Sequence, residues 1–341
     1  MARTAEAGKV AVAVRRDWVP MGMAGAVVAV LALLPVLFPT NNYLLHLMIL
    51  SSINVVLAAG LNISTGYTNQ ISLAQGALYG VGGYASTLTV LNLGLPFWMG
   101  LLVAAVFTGI VGFLLAVPTL RVHGHYLAIT TLGFQMVINL TMSNWYPVTK
   151  GSFGISGIPG VSPLGPISFQ TLSSVYYLYV AIAALAVYLG HRLIRSTVGL
   201  EMLAVREEEQ AAGCMGINVA RTRVLALTLS AVYAGIAGSL LAHYMGTIHP
   251  KEFDIWSSVI VLAMVLIGGR GTAFGPVIGA LLLTLAPELL RPLQDYRLIV
   301  FGLLMMVVVV FMPSGLVSIA RWTRRWPRAM ATSAVAARDR G

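Results

Sequence analysis

Charge is scarce in this chain: Asp, Glu, Lys and Arg make up 9% of its 341 residues, against roughly 25% in an ordinary soluble domain. None occurs from Trp18 to Leu120, a stretch of about a hundred residues that can hold several membrane spans of about 20 each. That gap excludes a soluble fold. Cysteine is nearly absent as well, and Cys214 alone cannot build a disulfide framework or a cysteine-rich metal site. The histidines, His46, His123, His125, His191, His243 and His249, show no metal-ligand spacing and are expected as interfacial anchors near the membrane faces. The lysines are Lys9, Lys150 and Lys251, and none closes a Gly-rich loop of the kind that cradles nucleotide phosphates. "GGRGTAFG", residues 268–275, is Gly-rich but carries Arg270 in place of such a lysine. No cofactor is therefore expected in this chain, nor any ATP hydrolysis of its own. Ion-driven carriers place ionisable groups inside the membrane. The first five apolar runs carry no Asp, Glu, Lys or Arg, and Glu288, at the end of the ninth, is expected to pair with Arg291 on the next turn.

What remains is apolar: hydrophobic residues are 58% of the chain and mean hydropathy is +0.85. Apolar runs fall near 20–38, 43–60, 71–92, 97–117, 126–143, 174–191, 224–245, 255–268, 276–290 and 297–312. The run that starts at Val19 has no small-residue cleavage site after it and is expected to stay as the first helix rather than leave as a signal peptide. Ten crossings put both termini in the cytoplasm. Of the 21 Lys and Arg, all but Lys150, Lys251, Arg291 and Arg297 then lie inside, as the positive-inside rule requires. The net charge of +10 thus reports topology rather than nucleic acid, for which no recognition motif is present.

The predicted fold is an all-α integral membrane protein of about ten transmembrane helices, some broken or Gly-rich. The third run, "QISLAQGALYGVGGYASTLTV", carries Gln70, Gln75 and several glycines, and the eighth is short and ends in the Gly-rich turn. Broken helices survive in lipid where protein or water pairs the freed backbone groups, so these segments are expected to face the bundle interior. The four runs from 43 to 143 and the four from 224 to 312 enter from opposite sides, which permits an inverted repeat. Neutral polar groups, Asn54, Gln70, Gln75, Thr130, Thr131 and Gln135, with Tyr79 and Tyr84 as walls, are candidates to line a substrate path; interhelical hydrogen bonding is the alternative. The outer loop 144–173 is rich in Gly, Pro and Ser and reads as turns with a short interfacial helix, a docking surface or a lid. Residues 1–18 form a cytoplasmic segment, 19–317 the membrane domain and 318–341 a basic cytoplasmic tail.

One inner loop, 192–223, gathers Arg192, Arg195, Glu201, Arg206, Glu207, Glu208, Glu209, Arg221 and Arg223. Good helix formers from about 199 to 216, with apolar residues every third or fourth position, predict a short surface helix. Ala211, Ala212, Gly213 and Gly216 give it a nearly side-chain-free face suited to close protein contact. The segment "GLEMLAVREEEQAAGCMGINVARTRVLALTLSAVYAGIAGSLLAHYMGTIHP" resembles the membrane permeases of bacterial branched-chain amino acid ABC importers, the LivM-type subunit of the hydrophobic amino acid uptake family. "GLNISTGYTNQISLAQGALYGVGGY", "PTLRVHGHYLAITTLGF", "TKGSFGISGIPG", "VLIGGRGTAFGPVIGA" and "PSGL" extend the resemblance over about residues 57–317.

The resemblance implies a multi-pass subunit of the bacterial inner membrane, paired with a second related permease subunit and surrounded by membrane lipid. Two ATPase subunits would hold ATP and Mg, and a periplasmic or lipid-anchored solute-binding protein would deliver the solute. Gln210, Ala211, Ala212 and Gly216 occupy the Glu-Ala-Ala-x-x-x-Gly positions of the permease coupling motif, with Gln210 in place of the glutamate; Glu207, Glu208 and Glu209 supply acid beside it. The implied function is alternating access driven from a coupling helix at about 199–216, which includes Glu201 and Arg206. The same architecture for urea or short amides, or a stand-alone carrier or channel, are the alternatives. Reversing Glu207, Glu208 and Glu209 together to Lys is expected to uncouple ATP hydrolysis from uptake while leaving membrane insertion intact, as a paired hydrolysis and uptake assay would show.

Overall fold

In apolar surroundings a backbone must pair with itself, and a helix does so locally. The computed structural model describes residues 42–122, 124–163, 169, 171–289 and 302. The first expected span, nearly all of the tenth, the N-terminal segment and the basic tail lie outside them. The helices are α1 (Asn42–Leu61), extended by a π turn (Asn62–Gly66), α2 (Gln75–Leu93), α3 (Phe97–Thr119), α4 (His125–Asn144), α5 (Tyr146–Thr149), α6 (Leu172–Ile194), α7 (Thr197–Glu207), α8 (Glu209–Cys214), α9 (Val219–Met245), α10 (Ile255–Gly268) and α11 (Gly275–Leu289). Four of them, α1 with its π turn, α3, α6 and α9, are long and apolar enough to cross a membrane; α10 and α11 are apolar but shorter.

Their ends follow local chemistry. The side chains of Thr171, Ser196, Asn218 and Asp254 each accept the N–H three residues on, capping α6, α7, α9 and α10. Gly94 and Gly246 close α2 and α9 in the left-handed conformation.

The third expected span differs from its prediction. Residues 68–74 run without regular helix while mostly removed from solvent, and α2 starts at Gln75 rather than near residue 71. A matching interruption precedes α10, where α9 is followed by strand β2 (Thr247–Ile248) and a 3-10 turn (Pro250–Phe253). Strand β1 (Ile155–Ser156), from the loop after α4, pairs antiparallel with β2, Ile155 opposite Ile248. That loop is thereby fastened to the chain just before α10. At 1.5 Å per residue α10 is about 21 Å long, short of the roughly 30 Å of a bilayer core.

Helices α2, α3 and α9 form the densest part of the bundle. Their seams are made of small residues: a Cβ on Gly82 would overlap the backbone of Gly235, and one on Gly238 would overlap the carbonyl of Tyr79. Such pairs let backbones touch where no water drives association. Helix α10 turns back onto α11 in the same way, with Gly279 against the Met264 carbonyl.

Charge sorts between the two ends. Arg206 reaches Gly66 and Arg223 reaches Val122, so the α1 end, the α3–α4 turn, the α7–α8 pair and the start of α9 share one basic end. Lys150 and Lys251 belong to the segments joined by the β1–β2 pair at the other end.

Substituting Gly238 by Val is expected to overpack the α2–α9 seam and lower stability by about 1–3 kcal/mol. Gly133→Ala, in open space on α4, should leave it unchanged or slightly higher; thermal unfolding in detergent compares them.

Candidate functional site

Two arrangements stand out. The first is a polar knot halfway along α4, where Gln135 lies about 15 Å from one end of the helix and about 14 Å from the other. Gln135 is fully buried. Its Oε1 accepts from the Ala77 N–H in the first turn of α2 and from Ser258 Oγ at 3.2 Å in the first turn of α10. Its Nε2 donates to the Phe253 carbonyl at 2.7 Å, just ahead of α10. Ser258 Oγ in turn accepts the Gly76 N–H at 2.8 Å. One amide therefore joins the starts of two half-helices that run in opposite directions from the middle of the bundle. One turn to either side on α4, Thr131 Oγ1 accepts the Leu73 N–H at 3.0 Å and Asn139 Nδ2 donates to the carbonyls of Pro250 and Phe253. The stripe Thr131, Gln135, Asn139 pairs backbone groups freed by both interruptions.

The other expected path residues are placed as follows. Gln75 Nε2 donates to the carbonyls of Leu57 and Ser230, both at 3.4 Å, and its Oε1 accepts from Ser230 Oγ. Gln70 Nε2 donates to Thr68 Oγ1 at 2.8 Å. Asn54 Nδ2 donates to Thr284 Oγ1 on α11 at 3.0 Å. Thr130 Oγ1 donates to the Tyr126 carbonyl of its own helix and takes no part in the knot. Tyr79 and Tyr84 both set their rings edge-on to Phe253. The Tyr84 hydroxyl is buried with no hydrogen-bond partner among the described residues. Asn139, Ser230 and Ser258 were not among the expected residues; the four-residue spacing of Thr131, Gln135 and Asn139 was the available signal. His243, expected at an interface, is buried instead. Since the Pro159 carbonyl can only accept, Nδ1 donates to it at 2.7 Å, and Nε2 accepts from Ser86 Oγ at 2.9 Å.

The second arrangement is the charged segment. The single helix expected over about 199–216 is two helices, α7 and α8, because Glu208 is extended (φ −160°, ψ 112°). Met202 and Val205 bury one side of α7, which packs on α6 and α9. Glu201, Glu207, Glu208, Gln210 and Ala211 face solvent, as do Gly213, Cys214 and Gly216, while Ala212 is buried. Met215 at the tip is 84% exposed. Gly216 (φ +85°) reverses the chain, with the Ile217 N–H returning to the Ala212 carbonyl. Arg206 turns inward: its Nη1 donates to the Gly66 carbonyl at 2.8 Å. Glu209 pairs at 3.4 Å with Arg223, a residue that is 4% exposed and also donates to the Val122 carbonyl at 3.1 Å. Arg223 had been expected merely as part of the charged loop. The predicted partner of Glu288, Arg291, lies outside the described residues.

Among the described residues no group of three or more His, Cys, Asp or Glu could hold a metal ion. Residues 43–309 match the family described as the permease component of the branched-chain amino acid transport system. The chain is 32% identical over 294 residues to the high-affinity branched-chain amino acid transport system permease protein LivM of Escherichia coli K12, covering 80% of this chain and 69% of that protein. It is 26% identical over 288 residues to the LivH permease protein of Salmonella typhimurium, covering 78% and 92%. A probable LivM permease of Methanocaldococcus jannaschii is 26% identical over 236 residues, covering 64% and 67%. No solved structure gives a significant match.

Gln135→Leu removes the partner of the buried Ala77 N–H and is expected to cost about 1–3 kcal/mol. Thr130→Val, which loses a bond within one helix turn, should change the unfolding temperature in detergent far less.

Proposed function

This chain belongs to the family of branched-chain amino acid transport permease components, and from that premise we propose that it is one transmembrane subunit of an ATP-driven importer of branched-chain amino acids in a bacterial inner membrane. It crosses the membrane ten times, with its basic end and both termini in the cytoplasm. Similarity to both LivM and LivH supports a pair of related permease subunits. Two ATPase subunits carry the ATP and Mg, and a solute-binding protein docks at the opposite end, where the loop after α4 is fastened to β2.

The observation that carries this reading is the α7–α8 pair. It lies on the basic end, presents small residues and Met215 to solvent, and is bonded through Arg206 and the Glu209–Arg223 pair to the ends of the bundle helices. An ATPase that grips the exposed face from Glu207 to Gly216 moves the subunit directly, without an intervening domain. The membrane domain of residues 19–317 is the moving part. The order long helix, non-helical stretch, shorter helix, returning helix occurs in α1–α2–α3 and again, reversed in direction, in α9–α10–α11, which supports an inverted repeat.

The path follows from which polar groups are already paired. Gln70, Gln75, Thr131 and Gln135 bond other parts of the chain, so they frame the path rather than bind solute. Tyr84 is buried as well, its hydroxyl without a hydrogen-bond partner among the described residues, and it belongs to the same interior. The solute passes along the face shared with the second permease subunit, and the interior of this subunit stays closed.

Because Cys214 is this chain's one cysteine and is exposed, the native protein carries its own probe. In membranes bearing the complete importer, alkylation of Cys214 by a membrane-impermeant maleimide applied from the cytoplasmic side is expected to be slow. It should become fast once the ATPase subunits are stripped. Equal rates would refute the grip on α8, and labelling from the periplasmic side would refute the orientation.

A further inference from the structure

The helix pair must pass any movement into the bundle through specific contacts, and these lie on opposite sides of the break at Glu208. We propose that Arg206 and Arg223 are the two struts that carry this movement, Arg206 from α7 to the ends of α1 and α11, and Arg223 from α8 to α9 and the α3–α4 turn. The inference rests on the reading of α7–α8 as the ATPase-gripped element and names the residues through which it acts.

Apolar contact holds α7 against α6 and α9, but such contact is non-directional and lets a helix slide. Arg206 supplies direction. Its guanidinium donates to Gly66, the last residue of the π turn of α1, and lies against Gly271 so closely that a Cβ there would overlap Nη1. Gly271 (φ +74°) takes a backbone conformation that side-chain-bearing residues rarely adopt. The target of the strut is itself braced. Asn62 exchanges two hydrogen bonds with the turn ahead of α11, its Oδ1 accepting the Gly271 N–H at 2.8 Å and its Nδ2 donating to the Thr272 carbonyl at 3.0 Å. A push on Arg206 therefore reaches α1 and α11 together.

Arg223 works on the other side. It stands in the second turn of α9, takes the Glu209 carboxylate of α8 at 3.4 Å and donates to Val122 in the α3–α4 turn at 3.1 Å. Being 4% exposed, it sits where a charge without its partner is costly, so Glu209 and Arg223 move as a unit. Its own carbonyl accepts from Gln70 at 3.5 Å in the non-helical stretch before α2. With Glu208 extended between them, the two struts load different helix ends of the bundle.

These are positioning residues, and the test separates force transmission from docking and from folding. In the complete importer reconstituted in liposomes, Arg206→Ala is expected to keep Cys214 protected by the ATPases and to keep ATP hydrolysis, while uptake per ATP hydrolysed falls about tenfold, as for loss of one hydrogen bond to a charged group. Gly271→Ala, which displaces the strut without removing its charge, should act the same way, and Arg206→Lys should recover part of the coupling. Glu209→Ala cuts the second strut from the surface and should also lower uptake per ATP. Arg221→Ala, an exposed neighbour, should not. If Cys214 is protected in every variant yet uptake per ATP is unchanged in Arg206→Ala, Gly271→Ala and Glu209→Ala, the struts are refuted and the ATPase contact stands. Parallel loss of hydrolysis and uptake with protection retained also refutes them, by showing a merely structural role. Absence of protection in the native importer overturns the contact and the struts with it.

Discussion

Every interruption of a helix within apolar surroundings frees N–H and C=O groups that water cannot reach, and each must find a partner in the chain. Here that demand falls on α4. Gln135 uses both acceptor positions and an amide hydrogen on the starts of α2 and α10 and on the carbonyl before α10, and Thr131 and Asn139 do the same a turn away. Without this stripe the two half-helices would leave their ends unpaired in the middle of the bundle.

The mechanical character of the subunit follows from it. The knot ties α2, α4 and α10 together. Small-residue seams tie α2 to α3 and α9, and α10 to α11. Backbones in direct contact have little freedom to separate by degrees, since packed interiors switch between arrangements rather than stretch. A block of this kind is best moved as a whole, from an end that can be gripped. The proposed grip is on the basic end, where Arg206 and Arg223 attach to elements that already belong to the block.

Much of this was legible in the sequence. The charge-free run from Trp18 to Leu120 set the class, and the helix boundaries of α10 appeared as an apolar run between Asp254 and Gly269. Glycines in the third run and around residue 270 signalled close packing, which is what they provide. The polar residues were found, but not their duties. Composition can show that Gln75 and Gln135 are buried neutral groups, whereas choosing between solute contact and backbone pairing needs the partner, which for Gln135 lies 118 residues away at Phe253. The break at Glu208 was hidden because Glu207, Glu208 and Glu209 are all good helix formers by local propensity. What divides them is tertiary: Glu209 turns to Arg223 while Arg206 is held at Gly66, and one straight helix does not serve both.

The most direct measurement is a pair of distances in the working importer. With Cys214 replaced by Ser, spin labels at Leu140→Cys on α4 and Val259→Cys on α10, both exposed, report the separation across the knot; labels at Leu140→Cys and on the second permease subunit report the separation between subunits. A subunit that moves as one block keeps the first distance constant from the nucleotide-free to the ATP-bound state while the second shifts by several ångströms. A nucleotide-dependent change across α4 and α10, with the subunits holding their distance, would contradict it.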